Sequence, residues 1–145
     1  MARIEESVRI KRPVNEVFAY TTDAKNWPKW QTFIPEAEQT SQGPMNVGAT
    51  FKGVSRMMGR SMKWTAIATE YESDKKWGKK ITSGSLAIEE HITFNPAGGG
   101  TIFTIVYDMK AGGFLKLLSP LMVGSMRKET KKSLGNLKSI LEAQT

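Results

Sequence analysis

Between about residue 34 and residue 109 the chain repeats its apolar side chains with period two, interrupted by five turn-forming clusters: QGPMNVG, MMGRS, ESDK, SGS and NPAGGG. Period two is the spacing of an extended strand, whose successive side chains point to opposite faces. The clusters cut the stretch into six short strands, and connections this tight join antiparallel neighbours, because a parallel neighbour needs a crossover of a dozen or more residues. A sheet of consecutive hairpins is therefore the frame into which every other segment must fit.

Turn chemistry sets which residues meet. A two-residue loop at Gly84-Ser85 pairs Ile81 with Ile88, Lys79 with Glu90 and Trp77 with Ile92. The same reasoning at Gly59-Arg60 pairs Met57 with Met62, Ser55 with Trp64, Gly53 with Ala66 and Phe51 with Ala68. Around PAGG it places Ile92 opposite Phe103, Glu90 opposite Ile105 and Ile88 opposite Tyr107. All three hairpins agree on one apolar face, into which Lys79, Glu90 and Tyr107 also point. Ions inside an apolar interior must be paired, protonated or at an opening, and Lys79 with Glu90 meets that requirement by cross-strand geometry.

The segments on either side supply the cover. RIEESVRI at residues 3–10 reads as a further strand with Ile4, Val8 and Ile10 inward and Glu6 the polar intruder. Pro13 opens a helix in which Val14, Val17, Phe18 and Thr21 share a face. Asp23 caps a second short helix, which the proline rule ends near Asn26 or Trp27, because the residue before Pro28 resists helical geometry. In the stretch NWPKW, Trp30 is expected to be buried where the helices meet the sheet and Trp27 to be partly exposed. After KAGG, helical periodicity runs from about Phe114 to Glu142, with Leu115, Leu118, Met122, Met126, Glu129, Ser133, Leu137 and Ile140 forming the inward stripe. No repeat or linker divides the 145 residues, so residues 1–145 are read as one α+β domain: a curved seven-stranded antiparallel sheet around a long C-terminal helix, with two short helices after the first strand.

Composition excludes several chemistries. With no cysteine and a single histidine, Cys/His zinc sites and Cys–His nucleophilic catalysis fail, and no metal or cofactor is expected. His91 alternates out of phase with Ile88, Ile92 and Phe94 and is expected on the outer surface. The glycines of NPAGGGT join two strands and do not open a helix, so they make a turn, not a phosphate cradle. The charged start MARIEESVRI and the interrupted apolar run FLKLLSPLMVGSM predict neither secretion nor a membrane span, and a cytoplasmic location follows as the expectation. The net charge of +7 is spread along the chain; it suits a solvated surface and weak contact with an anionic membrane surface better than nucleic acid, for which no basic cluster with exposed aromatics is found.

The order strand, two short helices, six strands and long helix, carried by SVRIKRPVNEVFAYTTDAKNWPKW, GGGTIFTIVYDM and GGFLKLLSPLMVGSMRKETKKSLGNLKSILE, resembles the START-like superfamily, the helix-grip or polyketide cyclase/dehydrase and lipid-transport group. The resemblance covers nearly the whole chain and implies a cavity between sheet and last helix. Members that look like this include ligand carriers, aromatase/cyclases and quinone-binding proteins. The expected function is the binding and carriage of a small hydrophobic molecule such as a lipid, an isoprenoid quinone or a polyketide-like compound. Phe51, Trp64, Ile88, Tyr107, Met122 and Met126 would give apolar contact, and Glu90 and Glu129 polar contact. Two alternatives stand beside it: an aromatase/cyclase or dehydratase using Tyr107 and Glu129 for proton transfer, and a protein-interaction module of co-chaperone or ribosome-associated type.

Overall fold

The computed structural model describes residues 2–57, 59–111 and 120–143. Seven strands, β1 (Ala2–Ile10), β2 (Glu36–Gln39), β3 (Thr50–Met57), β4 (Arg60–Glu72), β5 (Lys76–Ser83), β6 (Leu86–Ala97) and β7 (Gly100–Ala111), form one sheet in the order β1-β7-β6-β5-β4-β3-β2. Every neighbouring pair is antiparallel. Helix α1 (Val14–Thr22), a 3-10 turn (Ala24–Asn26) and α2 (Trp27–Trp30) separate β1 from β2, and α3 (Pro120–Glu142) closes the chain. This is the α+β helix-grip architecture expected from the alternating pattern. The expected helix start at Phe114, and with it Leu115 and Leu118, lies outside the described residues.

One of the three hairpin registers stands as derived: Lys79 faces Glu90, Ile81 faces Ile88 and Trp77 faces Ile92. The other two are each displaced by two residues. Strands β3 and β4 close between Met57 and Arg60, so Gly53 meets Trp64 and Phe51 meets Ala66. Strands β6 and β7 close between Ala97 and Gly100, which brings Glu90 opposite Tyr107 and Ile92 opposite Ile105. The reason is backbone stereochemistry: both central residues of the second loop, Gly98 and Gly99, have φ of 56° and 82°, a conformation that demands glycine and therefore selects Gly98-Gly99 over Ala97-Gly98. A two-residue shift preserves which face each side chain takes, so the apolar face survives the correction while its neighbour pairs change.

The NWPKW segment also differs from expectation. Pro28 sits in the first turn of α2, where its missing N–H costs no hydrogen bond, and so the helical path continues through it to Trp30 in place of stopping before it. Both Trp27 and Trp30 are about 1% exposed. Trp27, expected to be partly exposed, donates its indole N–H to the Thr21 carbonyl at 2.7 Å and stacks on Trp77 with 5.6 Å between ring centroids. Trp30 meets Phe103 edge to face. The two rings are a plug between helices and sheet.

Helix α3 packs along β1 and touches α2. Its buried positions are Met126, Thr130, Ser133, Leu134, Leu137 and Leu141, a stripe turned slightly from the expected one and leaving Glu129 and Ile140 half-buried. Thr130 and Ser133 can enter the core because each hydroxyl donates to a carbonyl one turn back, Met126 and Glu129 respectively. The helix also secures the outer edge of β1: Lys138 Nζ donates to the Arg9 carbonyl at 2.8 Å and to Glu142 Oε2 at 2.7 Å, and Glu142 in turn accepts the Lys11 N–H at 2.9 Å.

Candidate ligand cavity

The register places one row of side chains across five adjacent strands on the inner face: Ala68, Lys79, Glu90, Tyr107 and Ile4. Three consecutive members are polar and all three are buried, Glu90 to about 1% exposure. Lys79 donates to Glu90 Oε1, and Tyr107 stands directly opposite Glu90 on the next strand. The ammonium group is further held between two indoles, 4.1 Å from the Trp27 ring centre and 4.6 Å from that of Trp77, contacts that replace hydration by attraction to the aromatic faces. Burial lowers the Lys79 pKa against the opposing pull of Glu90. Burial first, then the neighbouring Glu90 carboxylate, raises that of Tyr107 well above the usual tyrosine value. The Tyr107 proton thus stays on its oxygen beside Glu90, and Lys79 and Glu90 compensate each other's charge.

Beside this row lies a cavity of about 70 Å³ between the sheet and α3. Trp64, Ile81, Leu86 and Ile88 line it from the sheet, Trp27, Gln31, Phe33 and Ile34 from α2 and the segment after it, and Met122 and Met126 from α3. Met62 lines it from β4, and Lys79, Glu90 and Tyr107 contribute the polar part of the wall. Of the residues expected at the site, Trp64, Ile88, Glu90, Tyr107, Met122 and Met126 are brought together here. Phe51 is not: it is buried beside Trp27, with 5.0 Å between ring centres, off the cavity. Glu129 is not either. Its carboxylate accepts the Thr32 hydroxyl, while Ser133 Oγ accepts the Thr32 backbone N–H at 3.0 Å, so this pair ties α3 to the segment that carries Gln31, Phe33 and Ile34. The expectation assigned Glu129 inward from helical period alone, and the slight rotation of the stripe moves it to the flank.

Sequence reasoning missed Gln31, Phe33 and Ile34, which follow α2 where no periodic pattern exists. The signal for them was the plug itself, because whatever follows a buried Trp30 must emerge at the same end of the core. His91 lies on the outer face, its Nδ1 3.0 Å from Glu70 Oε1. That contact crosses Gly78 of the intervening strand, where a Cβ would stand 2.9 Å from the Glu70 oxygen and 2.5 Å from the Glu90 carbonyl oxygen. Among the described residues no cluster of three His, Asp or Glu side chains could hold a metal, and no helix is long and apolar enough to cross a membrane.

Residues 1–142 match the sequence profile of a family described as polyketide cyclase / dehydrase and lipid transport. The chain belongs to that family. Its solved structural likenesses include TTHA0849 from Thermus thermophilus, with a TM-score of 0.84 at 17% identity over 99% of this chain and 100% of the other. A START superfamily protein from Mycobacterium smegmatis gives 0.80 at 13% identity over 99% of both chains. The Zhui aromatase/cyclase from Streptomyces sp. R1128 gives 0.85 at 10% identity over 99% of this chain and 94% of the other. At such identities the likeness carries the fold alone. No curated protein matches the chain. Within the family frame, sheet and C-terminal helix face each other across the inner wall just described.

Proposed function

We propose that this polyketide cyclase/dehydrase and lipid-transport family member binds and carries a small hydrophobic molecule, of lipid, isoprenoid-quinone or polyketide-like type, in the cavity between sheet and α3. The observation that carries the reading is the wall: apolar side chains from the sheet, from the segment after α2 and from α3 converge on one space, with the charges of Lys79 and Glu90 already neutralised by each other. At about 70 Å³ the space is below the 300–1,000 Å³ usual for ligand pockets, so the guest enters by displacing side chains. Met62, Met122 and Met126 suit that role, since unbranched thioethers repack at low cost. The reading also places the protein in the cytoplasm, with its charge of +7 drawing it weakly to anionic membrane surfaces. Proton-transfer catalysis by Tyr107 and Glu129 fits less well, because Tyr107 is in the cavity wall and Glu129 is engaged with Thr32.

The test is a titration with N-phenyl-1-naphthylamine, a neutral probe that fluoresces in apolar surroundings. Wild type should bind it, and Met126→Trp, which fills the space, should abolish binding while thermal unfolding stays cooperative. Equal affinity in the two proteins overturns the reading.

A further inference from the structure

Two residues of the cavity wall carry buried hydrogen-bond donors that meet no acceptor among the described residues. Among the described residues four buried side-chain nitrogens have no acceptor: Trp30 Nε1, Gln31 Nε2, Trp64 Nε1 and Trp77 Nε1. Trp30 and Trp77 do not line the cavity; Gln31 and Trp64 do, and each is only 5% exposed. A buried N–H without a partner carries its full desolvation penalty, which a guest with a suitable acceptor would remove. Of the acceptors in the wall, Glu90 already receives Lys79.

The Gln31 backbone and the Trp64 ring are held in place before any guest arrives. The Gln31 backbone N–H donates to the Trp27 carbonyl at 2.9 Å and its carbonyl accepts the Ile34 N–H at 3.2 Å, while Thr32 next to it is tied to α3. The Trp64 ring lies against Gly53, where a Cβ would stand only 2.4 Å from Cζ2, so the glycine is what gives the indole its seat. Preorganised donors favour a ligand because their ordering cost is met on folding.

We propose that Gln31 Nε2 and Trp64 Nε1 form a polar subsite that receives an acceptor-only oxygen of the guest: a ketone, ester or quinone carbonyl. This rests on the cavity being a guest site. A hydrocarbon leaves both donors unfilled, whereas a carbonyl oxygen, with two lone pairs, can accept from both at once. A carboxylate brings a negative charge to a wall whose cation, Lys79, is already paired with Glu90. The carbonyl end therefore points at Gln31 and Trp64, and the apolar body lies along Ile81, Leu86, Ile88 and Met126.

The experiment compares 2-acetylnaphthalene with 2-isopropylnaphthalene, in which a methyl replaces the carbonyl oxygen at nearly constant shape, by calorimetric titration. Wild type should prefer the ketone by about tenfold or more. Trp64→Phe and Gln31→Leu should each erode the preference by weakening the ketone while leaving the hydrocarbon bound. The wild-type chain gives a second readout that does not depend on the variants folding: of the indole N–H resonances, that of Trp64 should move downfield with the ketone and not with the hydrocarbon. Equal affinity for the two probes, or identical indole shifts, overturns the subsite and leaves cavity binding standing. Binding of neither probe overturns both.

Discussion

At the scale of single residues the decisive group is Glu90, a carboxylate about 1% exposed that is tolerable only because Lys79 donates to it. Breaking such a pair from one side strands a buried charge. Glu90→Leu should therefore cost about 3–5 kcal/mol in urea unfolding, whereas Lys79→Met with Glu90→Leu should recover most of that loss. A double variant no more stable than the single one would show that the pair itself, and not its isolation, sets the penalty. Tyr107 adds a pH signature. Its folded pKa lies well above the ordinary value of 10.0, so above about pH 10 the unfolded chain loses a proton that the native one keeps, and stability falls as pH rises. Tyr107→Phe should flatten that alkaline decline in denaturant midpoints measured across the range.

At the scale of elements, α3 is bound to β1 by Lys138 and Glu142, and here the sign is reversed. The Glu142 carboxyl is held below its ordinary 4.5, first by the Lys138 hydrogen bond and then by the Lys11 N–H. Its contribution is complete above that value and is lost as pH falls through the lowered one. Glu142→Gln should remove this part of the acid sensitivity, seen as a shallower fall of the thermal midpoint below about pH 4.5; an unchanged slope would exclude the clasp as its source. How far such contacts could be read in advance depended on the kind of signal. The strands were legible because burial on one face forces period two, and α3 because its apolar positions recur at 3.6. The register of β6 on β7 was not, since shifting it by two leaves the face pattern intact; only the positive φ of Gly98 and Gly99 distinguishes them. That slip is why the sequence pairs Glu90 with Ile105 and misses Tyr107 as its neighbour. Glu129 escaped for a related reason: a half-buried flank and a buried stripe differ by a few tens of degrees of helix rotation.

At the scale of the whole molecule, the +7 charge is distributed, with Lys128, Lys131 and Lys132 among the exposed positions of α3. Co-sedimentation with phosphatidylserine vesicles should be weak at low ionic strength and vanish near 0.15 M salt, where screening acts within about 8 Å; binding that persists in salt would demand an apolar contact instead. Among the described residues the open sheet also has two borders that pair with no further strand, each a template on which a second chain could add a strand. Strand β2 guards one by brevity, four residues with Glu36 and Glu38 exposed. At β1, nine residues long, Lys138 occupies the Arg9 carbonyl and Arg127 reaches that of Arg3 at 3.5 Å. Those two side chains therefore cap carbonyls of that edge: lifting α3 uncovers a long strand whose carbonyls are ready to pair, so this fold should fail by ordered, strand-on-strand polymerisation before it fails by amorphous collapse.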